Sequence, residues 1–172
     1  KFTNAYVSAS VCAPSRAGLL TGRYQQRFGF ENNMSGNPAK GFTEVDMGLD
    51  PKETTFADEM KGNGYRTLAI GKWHLGEEEK YWPQYQGFQT NLGGWSKGSP
   101  TGRINDTTGG FFTPYKNPTL PDGPTGEYLT DRLTNECLSF IERNQQTPFF
   151  LMYSLYAVHN PLQAPAALIK KY

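Results

Sequence analysis

Cys12-Ala13-Pro14-Ser15-Arg16-Ala17-Gly18-Leu19-Leu20-Thr21-Gly22-Arg23 is the stretch around which the rest of the chain is organised. Pro14 suits the first turn of a helix, where a missing N–H costs nothing, and Gly22 can supply a left-handed stop. Cys12 is therefore expected at or just before a helix N-terminus, which favours a thiolate or a bound anion. Arg16, one turn later, adds a planar cation suited to a tetrahedral oxyanion. A buried structural cysteine with a surface arginine fits the same residues equally well.

The residues on either side of this stretch predict a strand and then a longer helix. Phe2, Ala5, Tyr6 and Val7 suit an extended segment before Cys12. The helix after Cys12 is expected to carry polar and basic side chains towards its end, namely Arg23, Gln25, Gln26 and Arg27. Residues 31–53 are rich in Asn, Gly and Pro without periodicity and are predicted to be a loop.

A helix, a glycine turn and a strand follow in that order. Thr55-Phe56-Ala57-Asp58 resembles a capping box, and Gly62 and Gly64 end the predicted helix. Tyr65–Ile70 is predicted to be a strand. This order indicates an α/β fold with a mostly parallel sheet flanked by helices.

Two side chains with chemical potential follow that strand. Residues two apart on an extended chain point to the same side, so Lys72 and His74 can project together while Trp73 faces away. The carboxyl ends of parallel strands are where such folds place ligand sites. For these residue types alone, a solvated lysine and a packed histidine are the commoner interpretation.

Residues 77–126 form a long irregular loop region, in which the aromatic residues are expected to pin the loop to the body. Lys97 and Arg103 could meet an anionic substrate, but solvated surface charge is the commoner role. From Glu127 an apolar stripe with helical spacing returns: Leu129, Leu133, Cys137, Phe140 and Ile141. Cys137 on this stripe is expected to be a core thiol. The run Phe149–Leu155 is continuously apolar, as in a buried parallel strand, and His159 follows it.

Composition bounds the class of protein. The chain has 172 residues, a net charge of +1 and 37% hydrophobic residues, which suits one globular domain and gives no sign of a nucleic-acid or membrane surface. No apolar run approaches the length of a membrane span. The chain has no starting Met and begins inside a predicted strand, so we expect a piece of a longer protein.

Two stretches together resemble the type I, formylglycine-dependent sulfatases. Ser10-Val11-Cys12-Ala13-Pro14-Ser15-Arg16, followed by Leu19-Leu20-Thr21-Gly22, is similar to the first signature of that family, and Gly64-Tyr65-Arg66-Thr67 with Ile70-Gly71-Lys72-Trp73-His74 is similar to the second. The resemblance implies an incomplete alkaline-phosphatase-like fold, with residues 1–172 part of one catalytic domain truncated at both ends. It implies hydrolysis of sulfate esters, on a sulfated small molecule or polysaccharide. It also implies export to the periplasm or the outside of the cell.

The resemblance assigns roles to five residues. Cys12, oxidised by a maturation enzyme to formylglycine, would be the nucleophile in its hydrated form and a ligand of a calcium ion. Arg16 would hold the hydrate, Lys72 and His159 would bind sulfate oxygens, and His74 would help to remove the proton of the second hydroxyl. An unmodified thiol lacks that hydroxyl.

The family's other acidic motifs are not found. Sulfatases also use an Asp-Asp pair and a later Asp-Asn or Asp-His pair, and no such pair fits those roles here, so the remaining calcium ligands are expected outside this chain. This segment alone is therefore expected to be inactive. Two alternatives remain open. One is a phosphonate or phosphodiester hydrolase of the same fold, and the other is an inactive glycan-binding fragment.

Overall fold

The computed structural model describes residues 1–33, 47–100 and 109–172, so Arg103 lies outside the described residues. The helices and strands of these parts are α1 (Cys12–Thr21), α2 (Phe56–Gly62), β1 (Arg66–Gly71), β2 (Thr90–Leu92), α3 (Leu129–Arg143), β3 (Phe149–Ser154) and α4 (Ala166–Lys171). Short 3-10 helices occupy Gln25–Phe28, Glu79–Tyr81 and Pro83–Tyr85. Across these described ranges, no helix has the length and apolar character needed to cross a bilayer.

The three described strands form a parallel sheet in the order β2-β1-β3. Leu68 of β1 pairs with Thr90 of β2 on one side and with Leu151 of β3 on the other. The crossover from β2 to β3 contains α3, as parallel pairing requires. The α/β fold with a parallel sheet is therefore confirmed.

Helices cover both faces of this sheet, and β1 contributes to both layers. Ala69 belongs to a buried cluster that includes α1 and α2 residues such as Ala17 and Ala57. Its neighbours Leu68 and Ile70 point the other way, into a cluster built on α3. This alternation is the period of two expected for a strand.

The capping box at the start of α2 and the glycine turn before β1 form as the sequence predicts. Thr55 accepts a hydrogen bond from the Asp58 backbone while the Asp58 carboxylate accepts one from the Thr55 backbone, which forms the capping box. Asn63 caps the end of α2, and Gly64 follows with a φ of 84°. The strand then begins at Arg66.

The strand predicted before Cys12 is wrong. Residues 1–11 form no strand, and Phe2, Tyr6 and Val7 are exposed. Extended chain becomes a strand only by pairing with a neighbour, and the described sheet contains only β1, β2 and β3. The extension of the helix to Arg27 is also wrong. α1 ends at Thr21 because Gly22 adopts the left-handed conformation, with a φ of 64°.

α3 and β3 lie where the sequence predicts a helix and a strand, but some of their residues are more exposed than predicted. Leu129, Leu133, Cys137 and Phe140 are buried as expected, whereas Ile141 is 40% exposed at the margin of the stripe. β3 is half-buried rather than buried because it is an edge strand of the described sheet.

The region 77–126 is not irregular throughout, since it contains β2 and two 3-10 helices. Phe111 and Tyr115 are buried in the α3 layer, so these aromatics pin the loop as expected.

Candidate active site

Residue 12 is the first residue of α1, as predicted. Val11 is extended and precedes the helix, and the backbone N–H of Ala13 donates to the side-chain oxygen of Asn33 at 3.1 Å. The Cys12 Sγ lies 3.5 Å from the same oxygen. Asn33 thus satisfies a free N–H group at the helix start and lies beside the candidate nucleophile.

The end of β1 turns sharply to deliver the next candidates. Gly71 has a φ of 85°, and a Cβ at this position would lie 2.0 Å from the Ser154 carbonyl oxygen of β3. The Lys72 N–H donates to that oxygen at 2.8 Å. Only glycine fits this close approach, and the turn sets where the side chains of residues 72 to 74 project.

Trp73 and His74 occupy opposite environments. Trp73 is buried, and its indole N–H donates to the Tyr81 carbonyl at 2.8 Å. The Nδ1 atom of His74 lies 3.2 Å from Cys12 Sγ. The outcome matches the expected alternation, although the backbone of residues 72–74 is no longer a strand and His74 has a φ of 62°.

The imidazole of His74 is held neutral. Burial, together with smaller effects of the nearby charges of Lys72, Arg16, His159 and Lys97, lowers its pKa to about 4. Near neutral pH the ring therefore carries a free lone pair and can accept a proton.

The ammonium group of Lys72 also interacts with Cys12. Burial lowers the pKa of its ammonium, the Cys12 side chain opposes this through charge and a hydrogen bond, and the charge of Arg16 lowers the pKa further. Lys72 and His74 thus approach residue 12 from the same turn.

Arg16 joins α1 to the ends of β1 and β3. Its guanidinium donates to the carbonyl oxygens of Trp73 at 2.7 Å and Lys72 at 2.5 Å, and to the Ser154 hydroxyl at 3.2 Å. Its pKa is lowered to about 10, because the effect of burial exceeds the opposing effects of Tyr156 and Cys12. The resemblance assigns Arg16 to the hydrate of residue 12, and its observed bonds add a second role, which is to fix the turn that carries Lys72 and His74.

His159 is exposed and lies in the segment that follows the end of β3 at Ser154. Its N–H donates to the Tyr156 carbonyl at 2.9 Å, and its charge is near enough to lower the pKa of His74. The structure therefore brings Arg16, Lys72 and His74 together around Cys12. His159 is linked to this group through its effect on His74.

Several neighbours of the site were not predicted. Asn33 and Ser154 carry no local motif, and only the folded chain places them beside Cys12 and Arg16. Lys97, expected to be solvated, forms an ion pair with Glu77 at 3.1 Å, and its charge contributes to lowering the pKa of His74.

The described residues do not form a calcium site. Calcium takes six to eight oxygen ligands, most of them carboxylates and carbonyls. No group of three His, Cys, Asp or Glu side chains in residues 1–33, 47–100 and 109–172 is arranged to hold a metal ion. Of the residues that the structure describes, Asn33 places a side-chain oxygen beside Cys12, and the cations Lys72 and Arg16 interact with it.

Comparison with known proteins agrees with this arrangement. The family model for sulfatases matches residues 1–172. The N-acetylgalactosamine-6-sulfatase of Sus scrofa is 33% identical to the chain and covers 98% of it, and the chain covers 34% of that protein. The chain thus spans about a third of the length of this curated relative.

Solved structures share the fold. Ps i-CgsB in complex with k-i-k-neocarrahexaose has a TM-score of 0.76 at 25% identity, covering 99% of this chain and 40% of its own. BT4656 in complex with its substrate D-glucosamine-2-N,6-O-disulfate has a TM-score of 0.61 at 28% identity, covering 92% and 27% respectively. The described sheet and helices are therefore part of an alkaline-phosphatase-like fold. From the match over its whole length and the two signatures around Cys12 and His74, this chain belongs to the sulfatase family.

Proposed function

We propose that the protein containing this chain hydrolyses sulfate esters, with residue 12 as the nucleophile. The observation that carries the proposal is the pairing of Cys12 Sγ with His74 Nδ1 at 3.2 Å beside two cations, Lys72 and Arg16. A nucleophile within hydrogen-bonding range of a neutral base is the arrangement that covalent catalysis needs. Positive groups around it stabilise the charge that develops on a tetrahedral oxyanion.

Once a maturation enzyme has converted Cys12 to formylglycine, one hydroxyl of the hydrated aldehyde would attack sulfur, and the S–O bond to the alcohol would break so that the alcohol leaves. Neutral His74 would then take the proton of the second hydroxyl, and the C–O bond to the sulfate group would break, which releases sulfate and restores the aldehyde. Lys72 and His159 bind sulfate oxygens. Arg16 keeps the turn of residues 72–73 in register with α1 and adds positive charge beneath the site.

The proposed substrate is a sulfated carbohydrate, and the proposed compartment is the periplasm or the outside of the cell. Support for the substrate comes from relatives and neighbours that are named for, or bound to, sulfated saccharides. Calcium, typical of the family, would need oxygen ligands in addition to the described residues.

The test uses the full-length protein, made with and without the maturation enzyme. Mass spectrometry of the peptide containing Cys12 should show conversion to the aldehyde only with that enzyme. Turnover of a sulfated monosaccharide should then appear only in the converted protein. Faster turnover of a matched phosphodiester would favour the alternative that the protein is a phosphonate or phosphodiester hydrolase. Conversion without any turnover, together with glycan binding, would favour a binding protein.

A further inference from the structure

A glycine on the segment after β2 lies against the catalytic histidine. A Cβ built on Gly98 would lie 2.5 Å from Nδ1, 2.6 Å from Cε1 and 3.0 Å from Cγ of His74. Because a Cα–Cβ bond is about 1.5 Å long, the Cα of Gly98 lies within about 4 Å of Nδ1. The backbone of residue 98 therefore packs directly on the ring.

The atom that Gly98 approaches most closely is also the atom that faces residue 12. His74 Nδ1 lies 3.2 Å from Cys12 Sγ. A methyl group at position 98 would overlap the ring, since contacts under 3.0 Å are essentially never seen for real Cβ atoms. The ring would have to move, and its contact with residue 12 would change.

The same segment also holds the His74 backbone. The His74 N–H donates to the Trp95 carbonyl oxygen at 3.0 Å. His74 has a φ of 62°, a left-handed conformation that is uncommon for a residue other than glycine and persists only where the surroundings impose it. Residues 95–98 thus fix both the backbone and the ring.

We propose that Gly98 is a positioning residue: its lack of a side chain lets residues 95–98 hold the His74 ring against residue 12. The three atoms nearest to a Cβ at position 98 all belong to the His74 ring, so Gly98 is argued to act through His74. The kinetic consequence rests on the proposed function, whereas the placement of the ring does not.

The first test is a double-mutant cycle on melting temperature in the full-length protein. Gly98→Ala is expected to lower Tm by roughly 4 °C, and the same change in a His74→Ala background should lower it by less than about 1 °C, because the space is then free. An equal loss in both backgrounds would overturn the proposal. If the single variant does not fold, recovery of folding in the double variant supports the proposal, and failure of both contradicts it.

Two other glycines provide matched controls. Gly98, Gly62 and Gly94 all have φ outside the left-handed region, so alanine strains none of these backbones. Gly62 has open space around its Cβ position at the end of α2, so Gly62→Ala should not lower Tm and should leave activity unchanged. At Gly94 a Cβ would meet the Asn91 side-chain oxygen at 2.5 Å, so the Tm loss of Gly94→Ala should persist in the His74→Ala background.

The second test separates positioning from a purely structural role. In the full-length protein the imidazole signals of His74 are assigned by their loss in His74→Ala, and those of His159 by their loss in His159→Gln. Gly98→Ala should shift the His74 signals and leave those of His159 in place. Unchanged His74 signals would refute the proposal, whatever the activity.

The third measurement is steady-state kinetics of the converted enzyme. Gly98→Ala should reduce kcat by about 10- to 100-fold with KM within about twofold, because it displaces a proton acceptor rather than a substrate-binding group. A rise in KM at constant kcat would contradict the assignment. If the wild-type protein has no sulfatase activity, the proposed function fails, while the cycle and the imidazole signals still decide the role of Gly98.

Discussion

The Nδ1 atom of His74 and the Sγ atom of Cys12 lie 3.2 Å apart, although 61 residues separate them in the chain. α1 contributes one of these side chains, and the turn after β1 contributes the other. The pair exists because the guanidinium of Arg16 bonds the carbonyl oxygens of that turn to α1. The reactive geometry therefore depends on a contact between two elements rather than on either signature alone.

Cys12→Ala is expected to abolish turnover in the full-length protein and to leave its fold intact. The side chain is half-buried at the helix start, so its removal deletes the nucleophile and little packed surface. Tm should change by less than about 2 °C. Substantial sulfatase activity in this variant would sink the assignment of residue 12.

Arg16→Lys is expected to be a severe change despite the retained charge. One ammonium cannot reproduce the planar set of bonds to Trp73, Lys72 and Ser154. We expect a loss of roughly 1–3 kcal/mol in the free energy of unfolding and of about 100-fold in kcat, as the turn shifts. Denaturant unfolding and steady-state assays measure the two effects.

The matched control is Arg23→Lys. Arg23 is half-exposed and pairs with Glu53, and lysine can keep that ion pair. Its stability should stay within about 0.5 kcal/mol of the wild type. If Arg16→Lys behaved like this control, the bonds of Arg16 to the turn would have no structural role.

Short-range signals explain which parts of the fold could be predicted. Three features are each determined by a few neighbouring residues: the capping box at Thr55, the glycine stop at Gly22 and the apolar run of β3. β2 gave no such signal, because Thr90-Asn91-Leu92 is short and mostly polar and is a strand only through its pairing with β1. The segment before Cys12 shows the reverse, since strand-forming residues without a partner in the described sheet remain exposed.

The site was predictable only as far as its motifs extend. Cys12, Arg16, Lys72 and His74 stand in two signatures, and the fold brings those signatures together. Asn33 and Gly98 belong to neither, and they act through contacts with Cys12 and His74 that depend on tertiary structure. Glycine is informative here for the side chain it lacks, which no local pattern reveals.

Cys137→Ala is expected to destabilise the protein without affecting catalysis. Cys137 is buried in the α3 layer, and truncation should cost about 1–2 kcal/mol through lost packing. Loss of activity in a stably folded Cys137→Ala protein would show that this helix has a role in the site.

The Cys137 thiol should also make the stability of the protein depend on pH. Burial, with a smaller effect of Glu136, raises the pKa of the Cys137 thiol from 9.0 to about 11. Between these values the unfolded chain releases the thiol proton and the folded chain keeps it, so this group stabilises the fold below pH 9 and its contribution is lost as pH rises to 11. The stability gap between wild type and Cys137→Ala should therefore narrow across that range. A gap that is constant from pH 8 to 11 would contradict the raised pKa.

Calcium titration of residues 1–172 is expected to show no tight site. Among the described residues, the cations Lys72 and Arg16 interact with Cys12 and repel a divalent cation, and Asn33 offers one neutral oxygen where calcium needs several. Isothermal titration calorimetry should give a Kd weaker than about 1 mM, which is the weak end of protein calcium sites. A converted sample should behave in the same way and should not turn over a sulfate ester. Stoichiometric binding in the micromolar range, lost in Asp46→Asn or Asp50→Asn, would instead mean that carboxylates of this chain complete a metal site beside residue 12.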